Sequence, residues 1–465
     1  MSAAPTGPAT LPPGTLDTLA RGRELHLDHY GRRLPFALLG GTGLRQRYAE
    51  LEGERAGAVF EALDASGGYA SACLGAGHEV VRRALDRGTR EAGYATDEIG
   101  SLERSALLTE VLGEGGLWTD HFPAGEYHAS GRNSGSEGME LALRLALETR
   151  FDHRTLRPAT GRGERDRILA FEGAWHGWTS GLVPFLNRRH YRLGLPVPDP
   201  SRPYGTTVDH LPFGDETALA GYLSQFGDRL LAVVVEPIQG DAGILTPPPG
   251  YLRSLAERTR RAGALLIADE VLTFAKSGRF FAMADDEGPV PTDITVIGKS
   301  IGMGAQSVSM VIARKELTVR GSGAVATSDL RPLGCAVIRD GLRHIVDEKL
   351  LEHSAALGEQ FTAALREEAV AAFPELYREI RGRGVIQGLE LTEAAAGRLV
   401  ELREHIVRAG VMVEFMAGAG RRSAGLRYVF PTLRIAPPLI TGPREAEEIV
   451  ARIAEGSRAF LGRPE

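Results

Sequence analysis

The stretch DITVIGKSIGMG, Asp293 to Gly304, decides how the chain is read, because its Gly-Lys-Ser fits three unrelated chemistries. It could close a phosphate-binding P-loop, present Ser300 as a nucleophile within G-K-S-I-G, or present Lys299 as an amine at the end of a strand. A P-loop needs a glycine where this chain has Asp293, so that backbone N–H groups can curl around the phosphates. The acids of ALLIADE, which would hold magnesium in such an ATPase, precede the lysine instead of following it. A serine elbow needs a strand leading into a helix. The strand ITVI is there, but only Met303 to Gln306 separate the motif from the next apolar run, VSMVIA. Asp347 and His353 could complete a triad, so a serine hydrolase using Ser300 stands as the alternative. A lysine flanked by Gly298 and Gly302 can approach a carbonyl closely and form a Schiff base.

The bulk numbers bound the answer. At 465 residues the chain exceeds what one hydrophobic core organises, and its 43% hydrophobic and 25% charged residues describe a folded globule. The net charge of -6 gives nucleic acid no general attraction. The basic run RRHYR, Arg188 to Arg192, is read as a solvated loop. Two distant cysteines, Cys73 and Cys335, support neither a disulfide framework nor a zinc site and fit a reducing cytoplasm. No signal peptide or spanning helix is expected. Lysine occurs only at 276, 299, 315 and 349.

Between Leu107 and Ala313 apolar runs alternate with amphipathic ones, as in βα units around a mainly parallel sheet. Strands are expected at 167–171, 230–237, 264–270, 294–298 and 308–313, with a helix over Tyr251 to Gly263 as a crossover. Their C-terminal ends carry the functional loops. After Gly341, GVIQGLEL, VMVEF, TLRIAP and a helix after Pro443 predict a smaller α+β unit. FALLGGTGLRQRY (36–48) with FEALD mimics a dinucleotide fingerprint, but its third glycine is missing, and a glycine-rich turn is the expectation.

Around Lys299 stand candidates for each demand that pyridoxal 5'-phosphate makes: an amine for its aldehyde, an acid for its ring nitrogen, a phosphate cradle and a flat group over the ring. Asp269 closes the strand ALLIAD and can keep a pyridine nitrogen protonated. Asn133 to Gly138, NSGSEG, opens a helix, where free N–H groups bind anions, so Gly135 and Ser136 are candidates for the phosphate. GAWHGW offers Trp175 and His176, and VVVEPIQG offers Glu236 and Gln239.

SGSEG, WHG, VEPIQG, ADEV and GKSIG occur here in the order and approximate spacing of the class III, or ω-type, pyridoxal-phosphate aminotransferases, and over about residues 55 to 440 the chain resembles that family. The resemblance implies fold type I: a large domain with a mainly parallel seven-stranded sheet, a smaller α+β domain, and a homodimer with active sites at the interface. Expected boundaries are a flexible tail at 1–25, the N-terminal part of the small domain at 26–85, the large domain at 86–340 and the C-terminal small domain at 341–465. Lys299 resembles the Schiff-base lysine, Asp269 the partner of the pyridine nitrogen, Trp175 the ring stacked on the cofactor and Val271 the residue on its other face. Gly135 and Ser136 resemble the phosphate cup, Gln239 a contact near the ring hydroxyl, Thr327 the threonine reaching the phosphate of the other subunit, and Arg434 the clamp for a substrate carboxylate.

The chain also departs from the family's pattern, most of all in a loop that, by the resemblance, lines the substrate entrance. Thr327-Ser-Asp-Leu-Arg-Pro332 replaces the family's T-F-S-G-[HN]-P, Gly138 a usual alanine, Lys276 a usual arginine and Gln306 a usual proline. The expected reaction moves an amino group between an amino donor and a ketone or aldehyde acceptor, with specialised metabolism and a bulky or peptide-like carbonyl as the inclination. An aminomutase, racemase or decarboxylase of the same fold remains open, as does a non-catalytic scaffold.

Overall fold

Six consecutive apolar residues, Leu230–Val235, can be buried on both faces only inside a sheet covered by helices on each side. In the computed structural model, which describes residues 11–463 except 13, 30–32, 153, 156, 188–204, 319–324, 417–421, 424–426 and 429, all six are buried. Their side chains alternate between layers: Val233 and Val235 join one core cluster, while Leu231 and Val234 join another. Each such burial is worth roughly 1.5–3 kcal/mol relative to exposure.

This strand, β4, belongs to a seven-stranded sheet. The others are β1 (Tyr127–Arg132), β2 (Arg167–Phe171), β3 (Thr207–Leu211), β5 (Leu265–Glu270), β6 (Ile294–Ile297) and β7 (Ser309–Arg314). Their order is β1-β7-β6-β5-β4-β2-β3, and only β7 runs against its neighbours. The mainly parallel, seven-stranded α/β sheet is therefore as expected. Helix α1 (Gly135–Glu148) packs Met139, Ala142 and Leu145 onto one face; α2 (Tyr251–Arg261) packs Leu252 and Leu255 onto the other. Gly263, in the left-handed region at φ 67, closes the crossover helix.

A second, antiparallel sheet comprises β8 (Tyr377–Arg383), β9 (Ile386–Leu391), β10 (Glu414–Met416) and β11 (Thr432–Ile435) in the order β8-β9-β11-β10. A third pairs strands from both chain ends: Phe36–Thr42, Arg45–Glu50 and Val59–Asp64 are antiparallel, and Val411–Met412 adds in parallel to the last. The stretch expected to be a glycine-rich turn is thus mostly strand. Its glycine pair sits at a bulge between Leu38 and Gly40, and a Cβ on Gly41 would stand 2.6 Å from the Arg45 carbonyl oxygen. Much of the expected tail forms a helix, Thr15–Leu25, with no buried residue. The RRHYR run and residues 1–10 lie outside the described residues. Among the described residues no helix is long and apolar enough to cross a membrane.

Gly138 has a packing reason. A Cβ there would stand 2.7 Å from Val296 Cγ1 and 2.9 Å from Ser309 Oγ, so α1 lies too close to the sheet for an alanine. Gly138→Ala is expected to lower the unfolding free energy by about 1–3 kcal/mol in urea titrations. An unchanged midpoint would show that the helix can lift away at no cost.

Candidate active site

The adjacency of β5 and β6 builds the site. Ile297 pairs with Glu270 and Val296 with Asp269, so Asp269 and, two residues past β6, Lys299 reach the same sheet edge although thirty positions separate them. Lys299 begins a single turn, Lys299–Gly302, in the left-handed region at φ 44, a conformation a non-glycine residue adopts only under constraint. Both line a cavity of about 850 Å³ between this edge, the start of α1 and the strands β10 and β11.

Asp269 is buried. Its Oδ2 lies 2.8 Å from Nδ1 of His176, and its Oδ1 accepts the Val271 N–H at 3.1 Å. Burial disfavours the charged imidazole, but the Asp269 bond and the charges of Asp269 and Glu236 outweigh it and raise the His176 pKa. His176 Nε2 is buried with no partner among the described residues. Glu236 accepts the N–H groups of Trp175 at 2.8 Å and Gly240 at 3.1 Å. Burial pushes its pKa up to about 7, with the His176 charge opposing and Asp269 adding. Burial likewise lowers the pKa of Lys299; Arg434 pushes in the same direction, while Asp269, Glu236 and Glu414 resist. An amine with lowered pKa is a better nucleophile near neutrality.

At the start of α1, Ser134 accepts the Glu137 N–H at 3.2 Å and caps the helix. The amides of Gly135 and Ser136 donate to no group among the described residues, which leaves them for an anion at the positive end of the helix. Glycines let the walls close. A Cβ on Gly135 would stand 2.6 Å from Val271 Cγ1, and one on Gly298 would stand 3.0 Å from the same methyl. A Cβ on Gly177 would stand 2.5 Å from Ser136 Oγ. Trp175 and Val271 both line the cavity.

Of the sequence candidates, Lys299, Asp269, Gly135, Ser136, Trp175, His176, Glu236, Val271 and Arg434 share this cavity. Two stand apart. Gln239 is fully buried behind the lining, donating from Nε2 to the Glu172 carbonyl at 3.1 Å, with Oε1 buried and without a partner among the described residues. Thr327 is exposed and does not line this chain's cavity. The altered loop after Thr327 is pinned: Asp329 accepts the Ser130 hydroxyl at 2.7 Å and the Gly131 N–H at 2.5 Å, and Ser328 bonds Asn133. Gln306 donates to the Gly334 carbonyl at 3.0 Å, tying the cavity rim to α3 (Pro332–Asp347).

Sequence reasoning missed Glu414 and Tyr69. Glu414 faces Arg434 across β10 and β11, ion-pairs with its Nη2, and accepts the Tyr69 N–H at 2.8 Å. The signal was a lone acid in the apolar run VMVEF. Tyr69 lies 5.6 Å from the Arg434 guanidinium, at φ 56. The grouping Ser300–His353–Asp347 is not formed: Ser300 is buried with its hydroxyl on Lys276, His353 Nε2 meets the Thr441 carbonyl, and Asp347 is exposed.

The family model for class III aminotransferases matches residues 58–455, and the chain belongs to that family. The mitochondrial ornithine aminotransferase of Oryza sativa subsp. japonica is 30% identical over 70% of this chain, and the match spans only 63% of that protein's length. The acetylornithine aminotransferase of Methanothermobacter thermautotrophicus is 32% identical over 68% of this chain and 71% of its own. The ornithine aminotransferase of Toxoplasma gondii ME49 superposes with a TM-score of 0.78 at 24% identity, covering 96% of both chains, and shares the fold. The chain is a fold type I, class III aminotransferase, and the family's cofactor is pyridoxal 5'-phosphate. The residues present fit that group: an amine, an acid held by a buried histidine, anion-binding amides, and a glycine-lined approach.

Because Glu236 has a raised native pKa, the stability it contributes is fully present below the unfolded value of 4.5 and is lost as pH rises through about 7. Glu236→Gln should therefore flatten that part of the decline when unfolding free energy is followed from pH 4 to 8. A decline as steep as in the wild type would contradict the assignment.

Proposed function

We propose that this chain moves an amino group from an amino donor to a ketone or aldehyde acceptor at Lys299. The observation that carries the reading is the lowered-pKa amine of Lys299 sharing one cavity with the Asp269–His176 pair and the anion-binding start of α1. Pyridoxal 5'-phosphate, when bound, supplies an aldehyde for the amino group and a ring that draws electrons. Asp269 holds a proton on the ring nitrogen, and His176 orients that carboxylate. Gly135 and Ser136 would hold the phosphate by their amides, and Trp175 and Val271, both in the cavity wall, would pack against the ring. Lys299 would hold the aldehyde through Nζ, and the same nitrogen, when free, would serve as the acid–base group of the transfer. Glu236 holds the backbone at Trp175, and the buried oxygen of Gln239 has no partner among the described residues.

Arg434 is the clamp for a substrate carboxylate, but Glu414 already occupies it. Leaving one charge of a buried pair alone costs about 3–5 kcal/mol, so a substrate either brings a carboxylate that replaces Glu414 or carries none at that position. Relatives named ornithine and acetylornithine aminotransferase make an ω-amino acid a reasonable donor. The wide cavity, with Tyr69, Trp178 and Phe415 in its walls, suits a bulky or peptide-like carbonyl acceptor in specialised metabolism. The working form is a cytoplasmic homodimer in which each Thr327 serves the other site; the exposed Tyr94, Ile99, Leu102 and Val325 supply apolar surface for such a contact.

Lys299→Ala is expected to abolish amino transfer while circular dichroism and melting stay native. Asp269→Asn should slow it by at least about 100-fold, the scale of a lost acid–base partner. Amino transfer by Lys299→Ala at more than a trace of the wild-type rate would sink the proposal.

A further inference from the structure

Lys276 lies beneath the turn that carries Lys299, outside the cavity. It is 3% exposed, and its Nζ is hydrogen-bonded to the hydroxyl of Ser300, the residue next to Lys299. Three segments close around it. The Cys73 thiol donates to the Ser300 carbonyl at 3.3 Å, the Val385 N–H donates to the Lys276 carbonyl at 3.0 Å, and a Cβ on Gly384 would stand 2.2 Å from that same carbonyl oxygen. The space around Lys276 is therefore tightly closed, and no carboxylate pairs with it among the described residues.

A buried ammonium without a counter-charge is unstable relative to its neutral form. The charged or titratable groups facing Lys276 are the Cys73 thiol, the Lys299 ammonium and the Arg434 guanidinium. Burial is the largest influence; Lys299 and Arg434 add repulsion, Cys73 opposes, and the pKa falls to about 7. An arginine here would stay charged at every working pH, whereas a lysine can shed its proton.

We propose that Lys276 is a positioning residue for the amino transfer, acting through its hydrogen bond to Ser300 on the Lys299 turn, so that its charge state changes the proton affinity of the Lys299 nitrogen. Protonated Lys276 repels a proton on that nitrogen; neutral Lys276 does not. The two groups then titrate as a coupled pair. The inference rests on Lys299 as the cofactor's anchor.

The test follows the visible absorption of the cofactor bound to purified wild type, Lys276→Arg, Lys276→Met and Lys276→Gln from pH 5.5 to 9.5. The expected order of midpoints is Met and Gln highest and Arg lowest, separated by about one pH unit, with the wild type between them and its transition broadened by coupling. Identical midpoints and steepness in all variants would overturn the proposal and leave Lys276 a packing residue. If the Met and Gln variants do not fold, the arginine variant alone decides, because a wild-type midpoint there is equally fatal. A wild-type protein with no visible band at any pH contradicts the Lys299 reading itself, and this inference falls with it; a band on Lys299 that ignores position 276 removes only the inference.

Discussion

The parallel pairing of β5 with β6 is the constraint on which the site depends. With Val296 opposite Asp269 and Ile297 opposite Glu270, one acid and one amine are delivered to the same edge of the sheet by two strands that are apolar through most of their length. Because side chains alternate with a period of two, a slip of one residue would turn Asp269 towards the other face and bring Glu270 in its place. Burial of both strands on both faces makes that slip costly. Glu270 is meanwhile spent on structure: it accepts the N–H groups of Ala282 at 3.0 Å and Met283 at 2.7 Å and folds the loop that carries Lys276.

The chemistry follows from what surrounds that edge. Desolvation lowers the proton affinity of Lys299 and raises that of Glu236, while in the same enclosure the bond to Asp269 outweighs burial and raises that of His176. One burial effect thus acts in opposite directions on an amine and an acid, bringing their proton affinities closer together. The second sheet closes the cavity from above. It brings the Glu414–Arg434 pair into the cavity wall, itself tied through Glu414 to the left-handed backbone at Tyr69.

Strands whose residues are buried on both faces were legible in the sequence: RILAF is β2 residue for residue, and ITVI is β6. The strands that escaped notice, YHASGR and TVDHL, are β1 and β3 at the two edges of the sheet, where polar residues and glycine break the apolar pattern: all of TVDHL is only partly covered, and YHASGR mixes buried with exposed positions. The N-terminal strands were obscured by Gly40 and Gly41, which look like a turn until the bulge and the close Arg45 backbone are seen. At the site, motifs ending strands could be read because strand ends converge in such sheets. Glu414 could not be read so readily, since its role exists only through the antiparallel register that sets it against Arg434. Lys276 was noticeable for its rarity in an arginine-rich chain, but its burial against Ser300 depends on contacts with Cys73 and Gly384 that no local pattern encodes.

The account rests on one nitrogen. Purified protein should be treated with borohydride, digested, and mapped by mass spectrometry for the reduced pyridoxyl group. The account predicts that the modification falls on the peptide containing Lys299 and on that residue within it; a pyridoxyl group on Lys276, Lys315 or Lys349, or none on any lysine, would contradict it.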